Sequence, residues 1–248
     1  MTRLLSLVLF CVATFPQARA AEVAVAVAAN FAAPMRVLAR TFESQTGHRL
    51  TTAFGSTGGF EAQIRNGAPF DVLLAADDTT PARLERDALA VAGSRFTYAT
   101  GRLALWSVDE RLVDPQGEVL RSGAFDRIAI ANPKLAPYGA AAIEVMTRIG
   151  VLERLRTRIV QGENIAQAHQ FVATRNAALG FVAVSQVQMD GRITSGSVWV
   201  VPSHLHAPIR QDAVLLARGR NNPAAQALLA WLRSEAARAV ILAHGYAI

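Results

Sequence analysis

After an opening apolar run, the chain alternates between strand-like and helix-like segments, and that alternation is what most restricts the fold. EVAVAVAA (22–29) is an apolar run of strand length. FAAPMRVLARTFESQTG (31–47) carries apolar residues at helical spacing and stops at Gly47, and HRLTTAF (48–54) is strand-like again. The cycle continues with the helix pattern FEAQIRNG (60–67), the strand FDVLLAA (70–76) and the helix pattern TTPARLERDAL (79–89), which Pro81 is suited to start. Strands joined by helices of this length pair in parallel, with the helices covering the sheet faces, so an α/β fold is expected.

The segment RFTYATGRLALWSV (95–108) is too long for one ordinary strand and carries Gly101 in its middle, where the chain is expected to pass to a second lobe. A second series follows: the strand RIAIANP, the helices GAAAIEVMTRIG and IAQAHQFVATRN, and the strand LGFVAV. After the turn-rich DGRITSGS, the strands VWVV and IRQDAVLLA and two final helices are expected to rejoin the first lobe. The expected division is 1–20 as a leader, 21–100 with 198–248 as lobe I, and 101–197 as lobe II. Two such lobes enclose a cleft, and ligands of open α/β sheets bind beyond the carboxyl ends of the strands.

The leader reading rests on Arg3, the apolar LLSLVLFCVATF and the small-x-small sequence Ala18-Arg19-Ala20, which together resemble a secretory signal cleaved after Ala20. Cys11, the sole cysteine, lies inside it, so the exported chain is expected to hold no thiol or disulfide. Loss of Arg3 and Arg19 lowers the formal charge of +6 by two, to +4. The remaining positive charge is scattered arginine, with Lys134 the one lysine, which argues against a nucleic-acid partner and suits the approach of a small anion.

Four turns open helices and so present unpaired backbone N–H groups. They are AANF (28–31), where Asn30 can cap the helix or donate its amide; FGSTGG (54–59), with hydroxyls on Ser56 and Thr57; APYG (136–139), around Tyr138; and QGENIAQ (161–167), where Asn164 is a cap and Ile165 offers its N–H. Taken singly, each is equally well explained as an ordinary helix start or tight turn.

The segments VAVAAN with FAAPM, FGSTGGFEAQIRNGAPFDVLLAAD, TYATGRLALW, IAIANPKLAPYGAAAIEVMTRIG, QGENIAQAHQFVATRNAALGFV and QDAVLLARG with NNPAAQALLAWL follow one another as in a known family. Over its length after the leader, the chain resembles the periplasmic molybdate-binding proteins of ABC importers. The resemblance implies a two-lobed type II binding-protein fold, each lobe a mixed, mainly parallel sheet flanked by helices. It implies a periplasmic, non-enzymatic, monomeric protein with no cofactor, a molybdate or tungstate ligand, and a membrane permease with its ATPase as partners. Carried over by position, the ligand contacts fall on Asn30, Ser56 and Thr57 in the first lobe and on Tyr138 and Ile165 in the second, the last two chiefly through backbone N–H groups. Some members have serine at the place of Asn30, many have lysine at that of Gly59, and some have a ligand tyrosine where this chain has Ala183.

Other readings are a binding protein for sulfate or phosphate and a periplasmic enzyme using the same cleft. For an enzyme, the sequence offers His204 and His206, expected on one face of a strand, and the pair Asp77 and Asp78, expected to cap the next helix. Neither is accompanied by a further cluster of catalytic or metal-binding types.

Overall fold

The structure, a computed structural model, describes residues 20–248, so the expected leader up to Arg19, Cys11 included, lies outside the described residues. β1 (Glu22–Ala28) runs through a 3-10 turn at Ala29–Phe31 into α1 (Ala32–Thr46). β2 (Arg49–Gly55), α2 (Thr57–Arg65), β3 (Val72–Leu74) and α3 (Thr79–Arg86) follow in the expected order. β4 (Phe96–Gly101) and β5 (Leu103–Ser107) are separated by Arg102 alone. Then come α4 (Val119–Ser122), β6 (Ile128–Ala131), α5 (Pro137–Arg148), α6 (Leu152–Leu155), β7 (Ile159–Gly162), α7 (Ile165–Ala173) and β8 (Leu179–Ala183). A small hairpin, β9 (Gln188–Met189) with β10 (Arg192–Ile193), precedes β11 (Ser197–Val200), β12 (Ile209–Leu215), α8 (Pro223–Trp231) and α9 (Glu235–Ala243).

These strands form two five-stranded sheets, ordered β2-β1-β3-β12-β4 and β11-β5-β8-β6-β7. β1 is parallel to β2 and β3, and β6 is parallel to β7 and β8, whereas β12, β5 and β11 pair antiparallel to their neighbours. The chain therefore leaves the first sheet at Arg102. Its return differs from expectation: β11 pairs with β5 in the second sheet, so residues 198–200 belong there and the crossing lies between Val200 and Ile209. Pro202 and Pro208 flank that crossing, and proline cannot donate to a ladder, which interrupts the strand pattern that VWVV and IRQDAVLLA suggest.

The alternation in β1 sorts the core of the first lobe. Val23, Val25 and Val27 face α1, α8 and α9, where they meet Met35, Leu38 and Phe42. Ala26 faces the other way, toward Phe60, Ile64 and Leu84 of α2 and α3. Burying each of these large side chains contributes about 1.5–3 kcal/mol. α1 ends where Gly47 adopts the left-handed conformation (φ 72°), as the sequence predicts. The second lobe has its own core, built on Leu103, Leu105, Ile128, Ile130, Phe181 and Val182 with Val145 and Met146 of α5. No helix among the described residues is long and apolar enough to cross a membrane.

Candidate functional site

The carboxyl ends of β1, β2, β6 and β7 deliver the chain to the cleft, and the helix starts that follow them meet there. Ala28, Ala29, Asn30, Gly55, Ser56, Thr57 and Ala76 from the first lobe, with Ala136, Pro137, Tyr138, Asn164 and Ile165 from the second, line one small cavity. About 10 Å³ of it is open to the centre of a water molecule. That is about the room of one water molecule, far below the roughly 300–1,000 Å³ of organic-ligand pockets. Every lining side chain is uncharged. All five residues singled out in the sequence, Asn30, Ser56, Thr57, Tyr138 and Ile165, are in this wall.

Thr57 opens α2 and is almost wholly buried, at 1% exposure. Its Oγ1 accepts the Ala76 N–H at 2.9 Å, which directs the hydroxyl proton elsewhere and leaves it available to the cavity. Ser56 is extended and precedes the helix, but its hydroxyl makes no capping bond. At α7, Asn164 caps as expected, accepting from the N–H groups of Ala166 (2.9 Å) and Gln167 (3.1 Å). The Ile165 N–H, at the first helical position, donates to none of the described residues. The same holds for the backbone N–H groups of Asn30, Thr57 and Tyr138. Gly139 lets α5 start hard against β6: a Cβ there would sit 2.2 Å from the Ala131 carbonyl oxygen. Across the cleft, the Gly58 N–H donates to the Leu135 carbonyl at 2.9 Å, tying α2 to the loop before α5.

Asn30 departs from both roles considered for its side chain. It makes no cap, and its amide nitrogen donates to Gln211 Oε1 and Tyr246 Oη, each at 2.9 Å, in the buried interior behind the cavity. The Gln211 amide nitrogen in turn donates to Tyr138 Oη at 3.1 Å. Tyr98 Oη is 3.1 Å from Gln211 Oε1, and Ser185 Oγ and Tyr246 Oη both donate to the Asn30 carbonyl at 2.8 Å. All three tyrosines of the chain thus meet behind the site. Burial raises the pKa of Tyr98 and Tyr138 well above the ordinary tyrosine value and raises that of Tyr246, so all three hydroxyls stay protonated at neutral pH.

Gln211, Tyr98, Ser185 and Tyr246 were not anticipated from the sequence. The available signal was the polar pair Gln211-Asp212 inside an otherwise apolar strand. A register shift between those two residues opposes Gln211 to Ala99 and Asp212 to Thr97, leaving Tyr98 as the extra residue of β4. Asp212 is held separately: it pairs with Arg95 at 2.6 Å and accepts from the Thr97 hydroxyl at 2.7 Å. Ala183 is buried at the end of β8 and is absent from the cavity wall.

The residues considered for an enzyme do not assemble. His204 lies in a 3-10 turn at Ser203–Leu205 rather than on a strand, and His206 is buried with Nδ1 against the Ala207 carbonyl at 2.7 Å. Asp77 caps α3 through the Thr80 N–H at 2.7 Å, while Asp78 makes no side-chain cap. Among the described residues, no group of three or more His, Cys, Asp or Glu is placed to hold a metal ion.

Residues 23–247 match the family described as bacterial extracellular solute-binding protein. The chain is 59% identical over 231 residues to the molybdate-binding protein ModA of Azotobacter vinelandii, covering 93% of this chain and 92% of that protein. It is 49% identical over 229 residues to the protein of the same name from Rhodobacter capsulatus, covering 92% and 89%. Among solved structures, the Azotobacter vinelandii periplasmic molybdate-binding protein superposes with a TM-score of 0.89 at 41% identity, covering 92% of this chain and 99% of that one.

Proposed function

The chain belongs to the bacterial extracellular solute-binding protein family, and from that premise we propose that it captures molybdate in the periplasm and hands it to an ABC importer. The observation that carries this reading is the small cavity between the lobes, walled by helix starts and uncharged donors. Six donors suit a tetrahedral anion there: the N–H groups of Asn30, Thr57, Tyr138 and Ile165, and the hydroxyls of Ser56 and Thr57. Helix N-termini carry partial positive charge and hold their N–H groups fixed before the ligand arrives, so a dianion needs no basic side chain. If each charge-assisted bond contributes about 1.5–3 kcal/mol, the gross gain is of order 9–18 kcal/mol before the costs of association are subtracted. Dissociation constants from micromolar to nanomolar, about −8 to −12 kcal/mol, are compatible with that gain once those costs are subtracted.

The lining also bears on which anion is held. It contains no carboxylate to receive the proton of hydrogen phosphate, whereas molybdate and tungstate carry no proton at neutral pH. Tungstate has the same charge and shape as molybdate and is expected to bind in the same place. Sulfate is smaller, and its rejection rests on donor spacing. The two chain crossings, at Arg102 and at 201–208, are the hinges about which the lobes close on the anion. A permease and its ATPase receive the loaded protein, and the leader ending at Ala20 directs export.

Calorimetric titration of the ligand-free protein with molybdate, tungstate, sulfate and phosphate tests the reading. Heat with molybdate and tungstate, and far weaker binding of sulfate and phosphate, is the expected result. Binding of sulfate or phosphate with none of molybdate would refute it.

A further inference from the structure

Asn30 and Tyr138 line the cavity from opposite lobes, yet both turn their side chains away from it, toward the same residue. Gln211 accepts from the Asn30 amide at 2.9 Å and donates to the Tyr138 hydroxyl at 3.1 Å. It is fully buried in β12 and is not part of the cavity wall. A second path runs alongside, since Ser185 of the second lobe donates to the Asn30 carbonyl at 2.8 Å and lies 3.1 Å from Tyr246 Oη. The hinge is shaped to the same contact. A Cβ at Gly101 would lie 2.2 Å from the Tyr138 hydroxyl and 2.5 Å from the Gln211 amide nitrogen, so only glycine leaves room for the pair.

Resting on the anion-binding reading above, we infer that Gln211 is a positioning residue that never touches the anion: it joins Asn30 to Tyr138 across the cleft and thereby sets how long the lobes stay closed. The Asn30–Gln211 bond lies within the first lobe and survives opening. The Gln211–Tyr138 and Ser185–Asn30 bonds cross between lobes and must break when the lobes part. They form together with the last bonds to the anion, so the ligand and the crossing bonds stabilise the same closed state. Removing a crossing bond lowers the closed population and weakens apparent affinity in proportion. The effect falls on escape from the closed complex, because the anion first meets the open cleft.

Gln211→Leu strips partners from Asn30, Tyr98 and Tyr138 at once and endangers the fold, so Tyr138→Phe carries the test. It deletes only the hydroxyl and retains the ring and the backbone N–H. Stopped-flow measurement with molybdate on the full exported chain should show dissociation about tenfold faster in Tyr138→Phe, with association within about twofold of the unsubstituted protein. Ser185→Ala should shift the same rate in the same direction. A purely structural role would lower the melting temperature without this division between the two rates. Unchanged dissociation in Tyr138→Phe, with the unsubstituted protein binding normally, would overturn the inference alone. Absence of molybdate binding by the unsubstituted protein would instead overturn the anion reading, and the inference with it.

Discussion

The two halves of the site are built differently. The first lobe brings side-chain hydroxyls to the cavity, on Ser56 and Thr57, along with its backbone N–H groups. The two second-lobe contacts singled out are backbone groups, because the Tyr138 side chain is committed to Gln211 and Ile165 has no polar side chain to offer, while the Asn164 side chain beside them caps α7. Side-chain identity should therefore matter in the first half, and the presence of an N–H in the second. This comparison can be broken by substitutions that remove one kind of donor at a time.

The largest effect is expected from Thr57→Val, which keeps the shape but removes the hydroxyl. It takes away a proposed donor to the anion and also leaves the buried Ala76 N–H without its acceptor. Calorimetry should show molybdate binding weakened by about 3 kcal/mol, with a loss of folding stability of about 1–3 kcal/mol. Next is Ile165→Pro. Proline is accepted at the first position of a helix, and Asn164 already has the extended conformation (φ −150°, ψ 176°) that a residue before proline requires. The substitution removes one N–H while leaving α7 in place, and should weaken binding by about 2 kcal/mol. Ile165→Val, which keeps the N–H, should change affinity by less than about 0.5 kcal/mol. Equal effects of the proline and valine variants would contradict the backbone role.

The smallest effect concerns pH and the second lobe alone. His169 stacks on Trp106 with ring centroids 4.7 Å apart, and burial lowers its pKa below the ordinary histidine value of 6.5. The folded state therefore favours the neutral ring. Its contribution is complete above pH 6.5 and is lost as pH falls through the lower folded value. Hydrogen exchange should show the second lobe losing protection on acidification over that window, and His169→Gln should reduce the loss.

Much of the fold was legible because it rests on local pattern. The valine-alanine alternation of β1, the stop at Gly47 and the break beside Gly101 each depend on residues close in sequence. The four helix starts were legible for the same reason. The return crossing was misplaced because β11 and β12 read alike as strands, and pairing with β5 rather than β3 is a choice the local pattern does not contain. The network behind the site was invisible on similar grounds. Asn30 meets Gln211, Tyr246 and Ser185 across 181, 216 and 155 residues, and its side chain faces the interior because those partners wait there.

The central claim is that one oxyanion is held between the lobes by helix-start N–H groups and two hydroxyls. A crystal structure of the protein with molybdate, with anomalous scattering collected at the molybdenum edge, tests it most directly. The account predicts one peak in the cavity, its oxygens about 2.7–3.2 Å from the backbone nitrogens of Asn30, Thr57, Tyr138 and Ile165. A peak elsewhere, or one contacting a single lobe in a closed molecule, would contradict it.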